Sequence, residues 1–208
     1  MSDPKTLVVH YLPRGERSHT RVLLDTFREA SGVEADELDL TNDRPPVFLQ
    51  ENLGAYIARN YLGQALTPTQ HRSMAGMDRL TAQLKAADTV VLATPMHNFS
   101  LPAPVKAWFD AVMLKGETWD IGESGYTGLM AGRRALVLMS SGGRYEGPMA
   151  GWDHGMSLAR QLFGFMGYAD IRAAWASGVN VPSLGTPEAI VGAAQDEVRK
   201  AVRDWYGR

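Results

Sequence analysis

Three short segments carry side chains from which a ligand site could be assembled. Tyr11-Leu12-Pro13-Arg14-Gly15-Glu16-Arg17-Ser18-His19-Thr20 ends at the start of a helical pattern, offering the Ser18 and Thr20 hydroxyls, the cations Arg14 and Arg17 and a row of amides. Those are the parts of a phosphate site, since a helix N-terminus leaves N–H groups free and favours negative charge. Ser-His-Thr before a helix is also ordinary capping. The segment is neither the Gly-Lys-Ser/Thr loop of nucleotide hydrolases nor the Gly-x-Gly-x-x-Gly dinucleotide fingerprint. Pro95-Met96-His97-Asn98-Phe99 joins soft and aromatic groups that can lie along a flat ring to an Asn that both donates and accepts hydrogen bonds. A planar heterocycle suits it, and a tight turn over core residues is the plainer reading. Ser140-Ser141-Gly142-Gly143 permits close backbone approach, so its amides can meet ring carbonyl oxygens or negative charge on a reduced ring.

The elements around these segments decide between the readings. Thr6 to Tyr11 is a β-branched run before the first segment, and a helical pattern through Val22, Leu23, Thr26 and Phe27 reaches Ser31-Gly32. Val33 to Leu40 reads as a weaker strand, and the Pro-rich stretch at Arg44-Pro45-Pro46 leads into a region of short helices. Thr67 or Thr69 caps a helix reaching about Ala87, with Met74, Met77, Leu80, Thr81 and Leu84 as its apolar stripe. Thr89 to Ala93 is a buried-strand pattern, and the helix after its loop shows Val105, Trp108, Phe109, Val112 and Met113 at helical spacing behind Pro102 and Pro104. A strand at Ala135 to Met139 empties into the third segment, and a helix over Met156 to Met166, a strand over Ile171 to Trp175 and a helix from Thr186-Pro187-Glu188 to Tyr206 complete the chain.

Five strands alternating with helices predict an α/β three-layer sandwich: a parallel sheet of five strands with helices on both faces. The flavodoxin-like order 2-1-3-4-5 fits that count and places its switch point between strands 1 and 3. The loops after strands 1, 3 and 4 then converge at one sheet edge, which favours the phosphate and ring readings.

At 208 residues, 45% of them hydrophobic, the sequence predicts one domain over residues 1–208. A net charge of −2 with scattered basic residues implies no nucleic-acid partner. Cysteine is absent, which excludes disulfides, thiolate metal sites and cysteine nucleophiles. His10, His71 and His154 form no metal spacing, so no metal is expected. Met1 to Lys5 lack a signal-peptide core and no apolar run approaches a membrane span, so no membrane association and a cytoplasmic location are expected. A hydrolase using Ser140 or Ser141 with Asp153 and His154 lacks the Gly-x-Ser-x-Gly elbow.

Taken with Phe163-Gly164-Phe165-Met166-Gly167, the three segments resemble the FMN-binding segments of FMN-dependent NADH-azoreductases, also described as NADH:quinone oxidoreductases, along nearly the whole chain. The resemblance implies FMN as cofactor, NADH or NADPH as donor, and a quinone or azo compound as acceptor in a ping-pong cycle. It implies that Ser18, His19 and Thr20 hold the phosphate, that Pro95, Met96, His97, Asn98 and Phe99 run along the ring, and that Ser140, Ser141, Gly142 and Gly143 meet its pyrimidine edge. No side chain is assigned as catalytic, and His97 is the candidate tuner of the ring. Substrate walls are expected from Phe99, Tyr126 and Tyr145, with Trp119 and Trp152 as further candidates. The family works as homodimers whose sites are completed by the partner, and the same is expected here. Leu12, His97 and Ser141 stand where Ser, Tyr and Arg are usual. The alternative is a flavodoxin-like electron carrier or a regulatory flavin-binding subunit; carriers tend to be strongly acidic, which a charge of −2 does not favour.

Overall fold

The computed structural model describes residues 5–207, so the expectation drawn from Met1 to Pro4 lies outside the described residues. Strand β1 (Thr6–His10) is buried along its length. It pairs in parallel with β2 (Ala35–Asp39) on one side and with β3 (Thr89–Pro95) on the other. Beyond β3 come β6 (Arg134–Ser141) and β7 (Asp170–Ser177), giving a five-stranded parallel sheet in the order β2-β1-β3-β6-β7. Counting only sheet strands, that is the expected 2-1-3-4-5.

The difference in numbering comes from a hairpin that the sequence reading left out. Strands β4 (Trp119–Gly122) and β5 (Gly125–Gly128) pair with each other and stand apart from the main sheet. Gly128 packs on the end of helix α5 (Met156–Met166), where an added Cβ would sit 2.3 Å from the Gly167 nitrogen, and the Met130 amide bonds the Met166 carbonyl.

Side-chain alternation along the strands divides the core. Leu7, Val9 and Leu92 face α3 (Pro68–Ala86), α4 (Ala103–Val112) and α5, together with Met77, Trp108 and Phe163. Val8, Val91 and Leu136 face α1 (His19–Ser31) and α6 (Pro187–Tyr206), together with Leu24, Phe27 and Val202. Trp108, Phe109 and Phe163 are fully buried, each contributing roughly 1.5–3 kcal/mol or more of hydrophobic stabilisation.

The helix ends follow from local chemistry. Thr67 and Gln70 form a reciprocal capping box at α3, and Thr186 caps α6 ahead of Pro187. Helix α1 closes on Gly32 at φ 56°, a left-handed position that glycine takes without strain. Short helices fill the segment after the Pro-rich stretch, as expected: α2 (Gln50–Tyr56) runs into a π-turn over Ile57–Tyr61. No helix among the described residues is long and apolar enough to cross a membrane.

Candidate functional site

The loops after β1, β3 and β6 meet at the carboxyl edge of the sheet. A crevice of about 170 Å³ is bordered there by Ser18, His19, Pro95, Met96, His97, Ser140, Ser141 and Gly142 of the expected residues, with Pro13, Arg14, Val179 and Asn180. Val179 and Asn180 were missed by sequence reasoning. They follow β7 and are tied to the third loop by bonds from the Val179 amide to the Ser141 carbonyl and from the Asn180 amide to the Gly142 carbonyl. Their signal was positional only: a turn at the end of the strand next to β6.

Ser18 is the N-cap of α1, where its hydroxyl accepts from the Arg21 amide at 3.4 Å. At that length the bond is weak and the hydroxyl proton stays available to a ligand. The His19 and Thr20 amides belong to the first turn, which has no intrahelical acceptors. With the exposed Arg14 beside them, they form a positive pocket at the helix end. Thr20 itself is fully buried, and its hydroxyl pairs with the Ser140 hydroxyl at 2.7 Å. Its side chain therefore fastens the first loop to the third. Leu12 is buried against the α1 side of the core, so a hydroxyl at this position would displace packing.

The second loop is a tight reversal. His97 and Ser100 exchange both backbone hydrogen bonds at 3.0 Å, and Asn98 and Phe99 between them have φ of 46° and 72°. Two left-handed residues make a type I′ turn, rarely built with a Phe at its second central position. Such strain persists only where the surroundings hold it, and here they do. The Phe99 carbonyl accepts from the His154 amide at 2.8 Å, and its ring meets those of Trp152 at 5.0 Å and Tyr145 at 6.1 Å. Below the turn, Met96 continues the sheet through its amide bond to the Ser140 carbonyl, while Gly155 leaves room for its side chain: a Cβ there would meet the Met96 Cε at 2.7 Å.

The third loop closes on itself. The Ser141 hydroxyl accepts from the Trp175 indole at 3.0 Å and donates to the Gly143 carbonyl at 2.8 Å. Both serine side chains are thus engaged, and the loop offers its backbone to a ligand. Gly142 lies close under Asn180: a Cβ would lie 2.6 Å from its side-chain nitrogen, so that exposed side chain would have to move. Tyr145 stacks on Trp175 at 6.0 Å and meets Phe99 edge-on, and neither Tyr145 nor Phe99 borders the crevice itself.

Tyr126 is not brought to this crevice. It lies on β5 with Trp119 and Phe165, their ring centroids 5.4 to 5.7 Å apart, and is 67% exposed. Asp153 does not form a catalytic pair with His154: its carboxylate accepts from the Gly155, Met156 and Ser157 amides at the start of α5. No group of three potential metal-binding side chains exists among the described residues.

The arrangement fits a phosphorylated, flat, hydrogen-bonding ligand: free amides and the Arg14 cation at one end, a Pro-Met ledge in the middle, and backbone amides over glycines at the other. Comparison with known proteins agrees. The model of a family described as flavodoxin-like fold matches residues 4–202. The chain is 35% identical over 207 residues to the FMN-dependent NADH:quinone oxidoreductase of Nitratidesulfovibrio vulgaris, covering 95% of this chain and 96% of that protein. It is 34% identical over 193 residues to the enzyme of that name from Hyphomonas neptunium, covering 90% of each. Among solved structures, an FMN-dependent NADH-azoreductase from Bacillus anthracis in complex with FMN superposes with a TM-score of 0.87 at 27% identity, over 98% of this chain and 99% of that one.

Proposed function

The chain belongs to the flavodoxin-like fold family, and from that membership we propose that it is an FMN-dependent oxidoreductase carrying two electrons from NADH to quinones or azo compounds. The observation that carries this reading is the convergence of three loops on one crevice with a positive helix end, a flat ledge and an exposed backbone edge. FMN, when bound, supplies the electron-transfer chemistry itself. The protein's part is to bind, orient and shield.

Ser18, the amides of His19 and Thr20, and Arg14 hold the phosphate by charge-assisted hydrogen bonds. Pro95, Met96, His97 and Asn98 support the ring, and the amides of the 140–143 loop face its polar edge. His97 stands edge-on to Tyr11 at 6.0 Å and can present a ring N–H to the ligand. Phe99, Tyr145 and Trp152 form a wall against which a flat acceptor stacks. Donor and acceptor occupy that place in turn, which gives ping-pong kinetics, and NADPH can substitute for NADH.

The working unit in this proposal is a cytoplasmic homodimer of single-domain chains. Leu49, Leu53, Ile57 and Tyr61 recur at four-residue spacing along α2 and the π-turn, each more than 40% exposed. Lys115 links this stripe to the hairpin, its ammonium over the Tyr61 ring at 5.3 Å and its backbone bridged to Trp119. A continuous apolar face rimmed by polar groups is what a second copy covers, and it brings Tyr126 within reach of a site only across that interface.

The test is an anaerobic titration of FMN-loaded protein with NADH, followed at the oxidised-flavin band, then addition of a benzoquinone. Bleaching and recovery are expected. FMN binding without bleaching by NADH would favour the electron-carrier reading instead.

A further inference from the structure

A second recess adjoins the crevice across Tyr11. It has a volume of about 430 Å³ and runs between the Pro-rich stretch after β2 and the first turns of α4, with Tyr11, Leu40, Arg44, Pro45, Pro104 and Ala107 on its walls. Proline rings and alanines make those walls flat and already rigid, so a planar group can enter without ordering long side chains.

Arg44 supplies the charge. Its side chain is exposed and makes no hydrogen bond or ion pair with another described residue. The neighbouring carboxylate does not neutralise it, because Asp43 is paired with Arg79 at 2.9 Å. Ala103 and Pro104, the first residues of the ten-residue helix α4, also line the recess, which adds the positive helix end to the same space. Tyr11 lines the recess, and its ring meets that of His97, a residue of the crevice, edge-on at 6.0 Å. An unpaired guanidinium over a flat apolar slot, one ring away from the proposed flavin crevice, is complementary to a nucleotide diphosphate.

We propose that this recess holds the adenosine diphosphate end of the reduced nicotinamide dinucleotide, with Arg44 on its phosphates and the purine between Pro45, Pro104 and Ala107. The assignment rests on the donor named under the proposed function. Of the two substrates in that reading, the dinucleotide alone carries both an anionic diphosphate and a second flat ring remote from its reacting end.

The test uses the FMN-loaded protein and ADP-ribose, titrated by calorimetry. Wild-type protein binds it, and Arg44→Ala weakens binding about tenfold or more, as expected for one lost charge-assisted contact; Ala107→Phe, which fills the slot, abolishes it. In turnover, Arg44→Ala raises KM for NADH about tenfold and leaves KM for N-benzyl-dihydronicotinamide, which lacks the adenosine diphosphate, unchanged. FMN content is unaffected. Equal ADP-ribose affinity in wild type and Arg44→Ala, or an equal rise in KM for both donors, overturns the assignment. Failure of the wild type to oxidise either donor would overturn the functional reading separately, with the calorimetry still deciding the recess.

Discussion

Replacing Thr20 with Val removes one hydroxyl from this fully buried side chain and keeps its β-branched shape. What changes is the 2.7 Å bond to Ser140. The Ser140 hydroxyl has no other partner among the described residues and Ser140 is 8% exposed, so Thr20→Val leaves a nearly buried polar group unsatisfied. That costs about 1–3 kcal/mol. In a chain of this length each kcal/mol is worth about 2–4 °C, so the thermal midpoint of the FMN-free protein should fall by about 2–12 °C. Ser140→Ala should act similarly, and the double variant should lose less than the sum, with a coupling of about 1 kcal/mol. FMN affinity, read by flavin fluorescence quenching, should fall less than tenfold in Thr20→Val, because the hydroxyl is engaged by Ser140 and in the proposed site only the amide would meet the phosphate. An unchanged midpoint together with a loss of FMN affinity well beyond tenfold would refute this and return the hydroxyl to the phosphate.

Three further outcomes are expected. Gly128→Ala forces a Cβ into backbone of the α5 terminus, 2.3 Å from the Gly167 nitrogen, so the hairpin must shift; a cost of about 1–3 kcal/mol and a weakened dimer in sedimentation should follow, and unchanged sedimentation would separate the hairpin from the interface. Burial holds His10 below the ordinary 6.5 despite Asp39 and Glu37, each 3.6 Å away, with Arg28 adding to the lowering. The unfolded chain therefore takes up the proton first, and the stabilisation present above pH 6.5 is lost as pH falls through 6.5 toward the depressed value; urea midpoints of His10→Gln should lack that segment of slope. Phe99→Ala should raise KM for a quinone severalfold with FMN retained, and an unchanged KM would remove Phe99 from the substrate wall.

Sheet and helices were legible because their signals are redundant. Strand β3 is buried along its first six residues, and α3 carries both an apolar stripe and a capping box. The hairpin was not, for a physical reason: its four-residue strands contain Gly122, Gly125 and Gly128 and bury little, so no period of two accumulates. The turn at His97 to Ser100 was legible as a tight turn, but its type was hidden. A type I′ turn announces itself by Asn-Gly, and here Phe99 takes the glycine position because contacts distant in sequence, from Trp152, His154 and Tyr145, hold it there. The hydroxyls of Ser140, Ser141 and Thr20 were legible as residues and not as roles, since a hydroxyl that fastens a loop and one that binds a ligand are identical in sequence.

That distinction bears on how the site works. Every loop of the crevice is fastened by the protein's own groups: Thr20 to Ser140 joins the first and third, Trp175 through Ser141 closes the third, and His154 with Trp152 clamps the second. Loops held in this way lose little further freedom when a ligand arrives, so more of each contact appears as affinity. At the crevice, the first amides of α1, Arg14 and the backbone beside Gly142 are open to a ligand. Arg44 follows the same rule one wall away, where Asp43 turns to Arg79 and leaves it unpaired. Groups that the fold already uses and groups that it leaves open at these two places therefore answer differently to substitution. For this reason Thr20→Val and Arg44→Ala should behave oppositely: the first should act mainly on the stability of the FMN-free protein, the second on ligand affinity with stability unchanged.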